Sequence, residues 1–370
     1  MNKKIIWLVG IIIVLFVIVI ATSKNSQSVI KIGVIGPFTG ARSDAGESMK
    51  NALTIAEKEI NSSSSLPKIK LIYEDSKYDA PSAVSSFNKL KDVDGVNYII
   101  GPFGSSEVLA VAPIAEKAQT IIITPSAQTP EISQAGDYIF RTIHNTAQEA
   151  PVFATYLGGI LKNKTLDIVA INTAISDPYI KVFKPIFETA GGKIGLIEKF
   201  DSKEVDFKTI LTKIKANKPT ALFMISTTKQ AGLIIKQANE MGISGIKFYG
   251  FGGTEGKEVV QVAGSLADGL IYPYSYDSNS PDSVMNSFRN KYFQLAGYEP
   301  DATAANSYDD LYLIVGCLKT NGNNVDKVKA CLYATKDYIG ASGKFSIDSN
   351  GDAVRTLIIK TIKDGKFVKL

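Results

Sequence analysis

The chain has 370 residues, 45% of them hydrophobic and 21% charged, which is typical of a globular protein with enough core for two domains. Its 41 basic and 36 acidic side chains are scattered, and no basic cluster with interleaved aromatic residues indicates nucleic-acid binding. With one histidine and two cysteines that lack zinc-site spacing, neither a metal site nor a cofactor is expected.

The first 23 residues differ from the rest of the chain. Lys3 and Lys4 precede residues 5–21, a run of 17 residues without a charged or polar side chain. This run reaches the lower limit for a transmembrane helix, about 17–25 residues, and exceeds the roughly 7–15 residues of a usual signal-peptide core. We favour an uncleaved membrane anchor over a cleaved signal. Either places the remaining chain outside the cytoplasm, because the lysines stay inside; residues 24–28 form a linker.

Short apolar runs then alternate with amphipathic segments in the first third of the chain. Strands are predicted at residues 29–35, 69–73, 96–100 and 121–123, with helices at 45–60, at 81–90 and from Ser105 onward. Asp44 and Glu47 are interpreted as a capping box, Ser105 as a helix N-cap, and Pro113 as a kink or break. The repeated strand–helix order predicts a parallel, doubly wound sheet.

Two consecutive strands of this sheet end in polar turns, GPFGSS at residues 101–106 and TPSAQTP at 124–130. The carboxyl ends of neighbouring parallel strands meet at one edge of the sheet, where ligands bind in open α/β folds. Free backbone N–H groups and the Ser105 hydroxyl at a helix start suit a carboxylate or another small anion. The alternative is that Ser105 only caps its helix.

A second β–α series follows, and the tail of the chain changes character. Strands are predicted at residues 166–171, 194–200, 221–225, 246–249 and 269–272. Helices at 280–296, 302–318 and 325–333 then precede two strand-like segments, 340–345 and 355–362. This order predicts two similar lobes, with the tail completing the first. Cys317 and Cys331 can pair as a disulfide or remain buried thiols, and the sequence leaves both open.

Six motifs in this order resemble the leucine/isoleucine/valine-binding protein family of solute receptors. They are GPFTGARSDAGESMKNA, IIGPFGSS, ITPSAQTPEI, FRTIHNTAQ, NSYDDLYLI and GKFSIDSNGD. The resemblance covers residues 29–370 and implies the type I periplasmic-binding-protein fold, an α/β architecture of two Rossmann-like, doubly wound lobes joined by three crossovers. It implies a first lobe of residues 29–144 plus 278–356 and a second lobe of 145–277 plus 357–370.

The resemblance also implies where the ligand lies. In amino-acid-binding members, the serine matching Ser105 and the backbone N–H matching Gln128 hold the ligand carboxylate. The carbonyl matching Ser126 and the side chain matching Gln128 face the ammonium group. With Ala127 between them, these residues form the implied ligand site of the first lobe.

Two of the implied contacts depart from the family pattern. Gln128 stands where threonine is usual, and Gly252 stands where the second lobe normally offers an acid to the ammonium group. Glu255 follows three residues later and is a candidate for this contact. The alternative is that Glu255 only interacts with the dipole at a helix start.

Three further positions leave the class of ligand open. Ala45 matches the aromatic residue of the first loop, and Arg42 in the same loop is a candidate contact for an anionic group on the ligand. A solvated loop charge is the alternative for Arg42. The family's tyrosine matches Ile175, with Tyr179 four residues on.

Together these observations predict an extracytoplasmic receptor of an ABC importer, with the ABC permease subunits and the membrane as partners. Its ligand would be a branched-chain amino acid or a similar small polar solute, bound by hinge closure. The alternative is a ligand-sensing domain that signals through a partner protein. No enzyme is expected, because GxSxG, HExxH and cysteine–histidine arrangements are missing from the sequence. His144 is interpreted as a structural residue of the hinge, and Asp309 and Asp310 as capping or paired.

Overall fold

A computed structural model describes residues 29–370 of the protein. The predicted membrane segment lies outside the described residues. Within residues 29–370, no helix is long and apolar enough to span a bilayer.

The first sheet has five parallel strands in the order β2-β1-β3-β4-β5. They are β1 (Ile30–Gly36), β2 (Ile69–Asp75), β3 (Tyr98–Ile100), β4 (Ile121–Thr124) and β5 (Ile139–Arg141). The helices that connect them are α1 (Ser43–Ser62), α2 (Ala80–Asn88) and α3 (Ser105–Lys117), with a π turn at Lys89–Val93 and a 3₁₀ turn at Pro130–Gln134. Alternate side chains of residues 121–123 in β4 enter two different cores, so all three of these residues are apolar.

The second sheet has seven strands in the order β15-β14-β10-β9-β8-β6-β7. Its parallel strands are β6 (Thr165–Ile171), β7 (Lys193–Phe200), β8 (Ala221–Ile225), β9 (Lys247–Gly250) and β10 (Ile271–Tyr274). The accompanying helices are α4 (Thr146–Ile160), α5 (Ser176–Thr189), α6 (Lys208–Asn217), α7 (Thr228–Glu240) and α8 (Lys257–Ala263). An antiparallel hairpin of β14 (Ile358–Lys363) and β15 (Lys366–Lys369) extends the sheet beyond β10.

The tail between β10 and β14 returns to the first sheet. It contains α9 (Ser283–Ala296), α10 (Ala302–Asn321), α11 (Val325–Tyr333), β11 (Tyr338–Gly340), β12 (Gly343–Ile347) and β13 (Ala353–Val354). Helix α10 packs on α1 in the core of the first lobe, and a Cys317–Cys331 disulfide joins α10 to α11. The chain therefore passes three times between the first lobe (the first sheet, its helices and the tail) and the second lobe (the second sheet and its helices).

Two local predictions are wrong. Helix α1 begins at Ser43 without a side-chain cap, because Asp44 pairs with Arg42 instead of closing a capping box. Gly104, not Ser105, is the N-cap of α3, which leaves the Ser105 hydroxyl free for other contacts. Of the two alternatives for Pro113, the structure excludes a break, because Pro113 lies inside a continuous α3. The hairpin strand β15 was not predicted.

A buried ion pair fixes the end of the first sheet. The fully buried Arg141 on β5 donates from Nε and Nη2 to the Asp352 carboxylate at 2.6 and 2.9 Å. Its Nη1 donates to the carbonyls of Ala127 at 3.3 Å and Thr129 at 2.7 Å. One guanidinium thus joins the tail of the chain to the polar turn that follows β4.

We expect Asp352→Asn to lower the free energy of unfolding by about 3–5 kcal/mol, because it leaves the buried Arg141 charge without its partner. The matched control is Asp337→Asn, which removes an exposed ion pair with Lys344 and should cost less than about 1 kcal/mol. Urea unfolding of both variants measures the difference. Equal losses would contradict a special role for the buried pair.

Candidate functional site

A cavity of about 270 Å³ lies between the two lobes. Its wall is built by the loops that follow β1, β2, β3 and β4 of the first sheet and β6, β7, β8 and β9 of the second. Every one of these loops leaves the carboxyl end of its strand, which is where ligands bind in parallel α/β sheets. The cavity is therefore the candidate functional site.

The two polar turns of the first sheet meet in the wall of this cavity. Ser105 occupies the first turn of α3, and its Oγ accepts the backbone N–H groups of Gln128 and Thr129, both at 3.2 Å. A hydroxyl that accepts two hydrogen bonds still has one proton to donate. Ser105, Ser126 and Gln128 all line the cavity, and Ser105 offers it a hydrogen-bond donor.

Arg42 turns inward and is only 8% exposed, so the solvated-charge alternative does not describe it. Its guanidinium pairs with Asp44 at 3.1 Å and lies over the ring of Phe103, 4.8 Å from the centroid. Burial acts to lower the pKa of Arg42, but Asp44 and Tyr78 outweigh it and leave the pKa above its usual value. A buried, charged guanidinium therefore borders the cavity.

Glu255 does not line the main cavity. Its carboxylate is buried against Lys360 Nζ, at 2.8 and 2.9 Å, so a cation of the chain already neutralises it. It borders a side cavity of about 30 Å³ and a separate cavity of about 400 Å³. The main electrostatic partner of Glu255 is therefore Lys360 and not the dipole at a helix start.

Ala127 is also absent from the wall of the main cavity. It is 1% exposed, and its N–H donates to Thr124 Oγ1 at 3.2 Å. Of the six predicted site residues, the structure brings four to the cavity: Arg42, Ser105, Ser126 and Gln128.

A cluster of buried polar groups lies behind Gln128. The Gln128 Nε2 is 3.0 Å from His144 Nε2 and 3.4 Å from Glu149 Oε2, and the last two atoms are 2.6 Å apart. The other oxygen of Glu149 accepts the N–H of Gly252 at 3.0 Å. His144 therefore joins segments of both lobes, consistent with a structural hinge residue.

Neither Asp309 nor Asp310 reaches the cavity. Asp309 accepts the N–H groups of Ala341 at 2.7 Å and Ser342 at 2.8 Å, and Asp310 accepts Thr142 Oγ1 at 2.6 Å. Both carboxyl groups tie α10 to neighbouring segments of the first lobe.

Sequence reasoning missed several residues of the wall, including Glu107, Phe103 and Phe251. The only signal for Phe103 and Phe251 was their place directly after predicted strands. Ile175 lines the cavity, whereas Tyr179 is fully buried against the phenylalanine side chains of the second lobe.

Glu107 is the most perturbed acid of the wall. It is 2% exposed, and its Oε2 accepts the N–H of Gly104 at 2.6 Å. Burial, opposed only partly by that hydrogen bond, raises the pKa of Glu107 to about 7. The Glu107 carboxyl group therefore changes from its neutral to its charged form near neutral pH.

The raised pKa of Glu107 predicts that the free energy of unfolding depends on pH. Because folding raises its pKa from 4.5 to about 7, the folded chain holds the proton more tightly than the unfolded chain. Its contribution to stability is therefore complete below pH 4.5 and is lost as the pH rises to about 7. Glu107→Gln, which mimics the neutral acid, should gain about 3 kcal/mol over wild type between these limits.

Urea unfolding at pH 4.5 and pH 7.5 would measure this gain, with the exposed Glu240→Gln as control. A constant difference between Glu107→Gln and wild type across this range would contradict the raised pKa.

Comparisons with known proteins agree with this geometry. The family model described as "Periplasmic binding protein" matches residues 29–366. The "Amino acid binding protein" of Pseudomonas aeruginosa is 26% identical over 343 residues, which cover 90% of each chain. Among solved structures, LivJ of Streptococcus pneumoniae in complex with isoleucine is 26% identical with a TM-score of 0.84, covering 93% of this chain and 99% of that one.

A solute-binding protein of an ABC transporter from Rhodopseudomonas palustris, in complex with 3,4-dihydroxybenzoic acid, is likewise 26% identical. Its TM-score is 0.85, and the match covers 92% of this chain and 96% of that one. The two-lobed α/β fold is thus that of known solute-binding proteins. The chain belongs to the periplasmic binding protein family.

Proposed function

We propose that this protein is an extracytoplasmic receptor of an ABC importer. It captures a small carboxylate with an apolar body between its lobes and delivers it to the permease subunits. A branched-chain amino acid is the first candidate ligand, because amino-acid-binding relatives match nearly the whole chain.

The cavity between the lobes is the observation that carries this proposal. At about 270 Å³ it is slightly smaller than the 300–1,000 Å³ of sites for drug-sized ligands, so it suits a smaller solute. The Ser105 hydroxyl and the Arg42 guanidinium provide a donor and a positive charge for a carboxylate. Phe103, Phe251 and Ile175 provide apolar surface for the remainder of the ligand.

Contacts across the cleft support binding by closure. Thr129 Oγ1 donates to the Ala174 carbonyl at 3.1 Å, and Thr228 Oγ1 donates to Asp44 at 3.3 Å. Lys257 pairs with Glu47 at 2.6 Å. Each contact joins the two lobes and can form only when the cleft is closed. Closure excludes water from the cavity, which strengthens each polar contact to the solute.

The proposed location is the outer side of the cytoplasmic membrane, to which residues 1–23 anchor the chain. The Cys317–Cys331 disulfide supports an oxidising compartment. The proposed lobe boundaries are residues 29–144 plus 278–356 and residues 145–277 plus 357–370.

An aromatic carboxylate is the second candidate ligand. The relative from Rhodopseudomonas palustris is in complex with 3,4-dihydroxybenzoic acid, and this cavity has Phe103 and Phe251 in its wall. Such a ligand needs the same carboxylate contacts but lacks an ammonium group.

A thermal-shift screen of the purified protein against aliphatic amino acids, their deaminated analogues and hydroxybenzoates tests the proposal. A ligand at 100 times its dissociation constant adds about 2.7 kcal/mol of stability. Stabilisation by one of these classes would support the proposed receptor, and no shift with any of them would contradict the proposed ligand class.

For a ligand found in this way, we expect Ser105→Ala to weaken binding at least about tenfold, because a charge-assisted hydrogen bond to the carboxylate is lost. Titration calorimetry measures the affinity. The matched control is Ser85→Ala on the exposed surface of α2, outside the cavity wall, which should leave the affinity unchanged. If wild type, Ser105→Ala and Ser85→Ala bind the ligand with equal affinity, the ligand carboxylate does not contact Ser105.

A further inference from the structure

The loop after β2 presents Tyr78 to the main cavity through an unusual backbone conformation. Lys77 and Tyr78 both have positive φ, 55° and 59°, a left-handed conformation that residues with a Cβ atom rarely adopt. Tyr78 lines the cavity together with Asp79 and Ala80 of the same loop. Because strained residues cluster at ligand sites, the position of this side chain calls for a functional reason.

Hydrogen bonds on both sides hold the loop in this conformation. Asp75 at the end of β2 accepts the N–H groups of Lys77 at 2.9 Å and of Thr39, in the loop after β1, at 3.2 Å. Asp79 accepts the N–H of Ser82 at 3.0 Å and so caps α2. The two aspartates therefore fix the backbone on either side of the strained residues, relative to both the sheet and α2.

The ring of Tyr78 occupies space that Gly104 leaves open. Its centroid lies 6.1 Å from that of the Phe103 ring, in an edge-on arrangement. A Cβ atom built on Gly104 would lie 2.8 Å from Tyr78 Cε2, closer than real contacts allow. The absence of a side chain at position 104 therefore lets Tyr78 lie against the turn that follows β3.

The Tyr78 hydroxyl is a donor without a partner in the chain. Burial raises the pKa of Tyr78, and the positive charge of Arg42 opposes this effect only partly, so the hydroxyl keeps its proton. Within residues 29–370, no group of the chain forms a hydrogen bond with this hydroxyl. A phenolic hydroxyl removed from water usually has a partner, and in the cavity an acceptor of the ligand can provide it.

The order of the first sheet separates Tyr78 from the turn after β4. The strands lie in the order β2-β1-β3-β4, and with about 4.8 Å between neighbours β2 and β4 are about 14 Å apart. The turn after β4 contributes Ser126 and Gln128 to the cavity, whereas Tyr78 follows β2. When the ligand carboxylate lies between Ser105 and the turn after β4, Tyr78 therefore faces the other end of the ligand.

We propose that Tyr78 is a specificity-determining residue whose hydroxyl donates a hydrogen bond to an acceptor at the end of the ligand remote from its carboxylate. The inference rests on the proposed function and narrows its ligand class to small carboxylates with a hydroxyl or carbonyl group at that end. A ligand with an apolar end would leave the hydroxyl without a partner, although its carboxylate would still meet Ser105 and Arg42.

The test uses two pairs of ligands, benzoate with 4-hydroxybenzoate and L-leucine with L-asparagine. In each pair only the second ligand has an acceptor at the end remote from the carboxylate. For a pair that binds, we expect wild type to prefer the second ligand by at least about tenfold in titration calorimetry. Tyr78→Phe keeps the ring and removes the hydroxyl, so this preference should be lost. The matched control is Tyr333→Phe on α11, outside the cavity wall, where the hydroxyl donates to the Asp137 carbonyl; it should keep the wild-type ratio.

The ratio of two affinities separates this role from a general structural one, because a loss of stability would weaken both ligands of a pair together. An unchanged ratio in a folded Tyr78→Phe protein would overturn the inference. If that variant does not fold, Tyr78→Leu, which also lacks the hydroxyl, replaces it with the same two outcomes. Wild-type affinities that are equal, or that favour the ligand with the apolar end, would overturn the inference alone. Binding of none of the four ligands would overturn the proposed ligand class as well.

Discussion

Arg141 is fully buried at the end of β5 and divides its donors between the tail of the chain and residues 127–133, which follow β4. The Asp352 carboxylate balances its charge, the carbonyls of Ala127 and Thr129 accept from Nη1, and Ser133 Oγ accepts from Nη2. A buried charge without such partners would cost several kcal/mol. Because the turn after β4 must stay in place to satisfy Arg141, its N–H groups stay aimed at Ser105, and the wall of the cavity around Ser105 depends on this constraint.

The cavity lies between the lobes, and its wall combines polar and apolar side chains. Each lobe supplies four strand-end loops, so an open cleft would expose only half of a site on each face. Cross-lobe contacts such as Lys257–Glu47 and Thr129–Ala174 are modest individually. A bound solute adds contacts to both faces at once, which is why binding and closure are expected to be one event.

The charges around the cavity are largely balanced by the chain itself. Asp44 offsets Arg42, and Lys360 offsets Glu255, so neither acid is free to receive a ligand cation. Glu149 is likewise held by the chain, within hydrogen-bonding distance of Gln128, His144 and Gly252.

The sequence by itself determined the alternation of strands and helices, the two lobes and the edge at which Ser105 and Gln128 meet. These features follow from local periodicity and from the rule that parallel strands point their carboxyl ends to one edge. Only the tertiary structure decided which buried charged groups find a partner within the chain. Glu255 meets Lys360 across 105 residues of chain, Arg141 meets Asp352 across 211, and Glu149 meets Gly252 across 103. Residues so far apart approach only when the sheets pack, and no local pattern records which partner a buried charge will find.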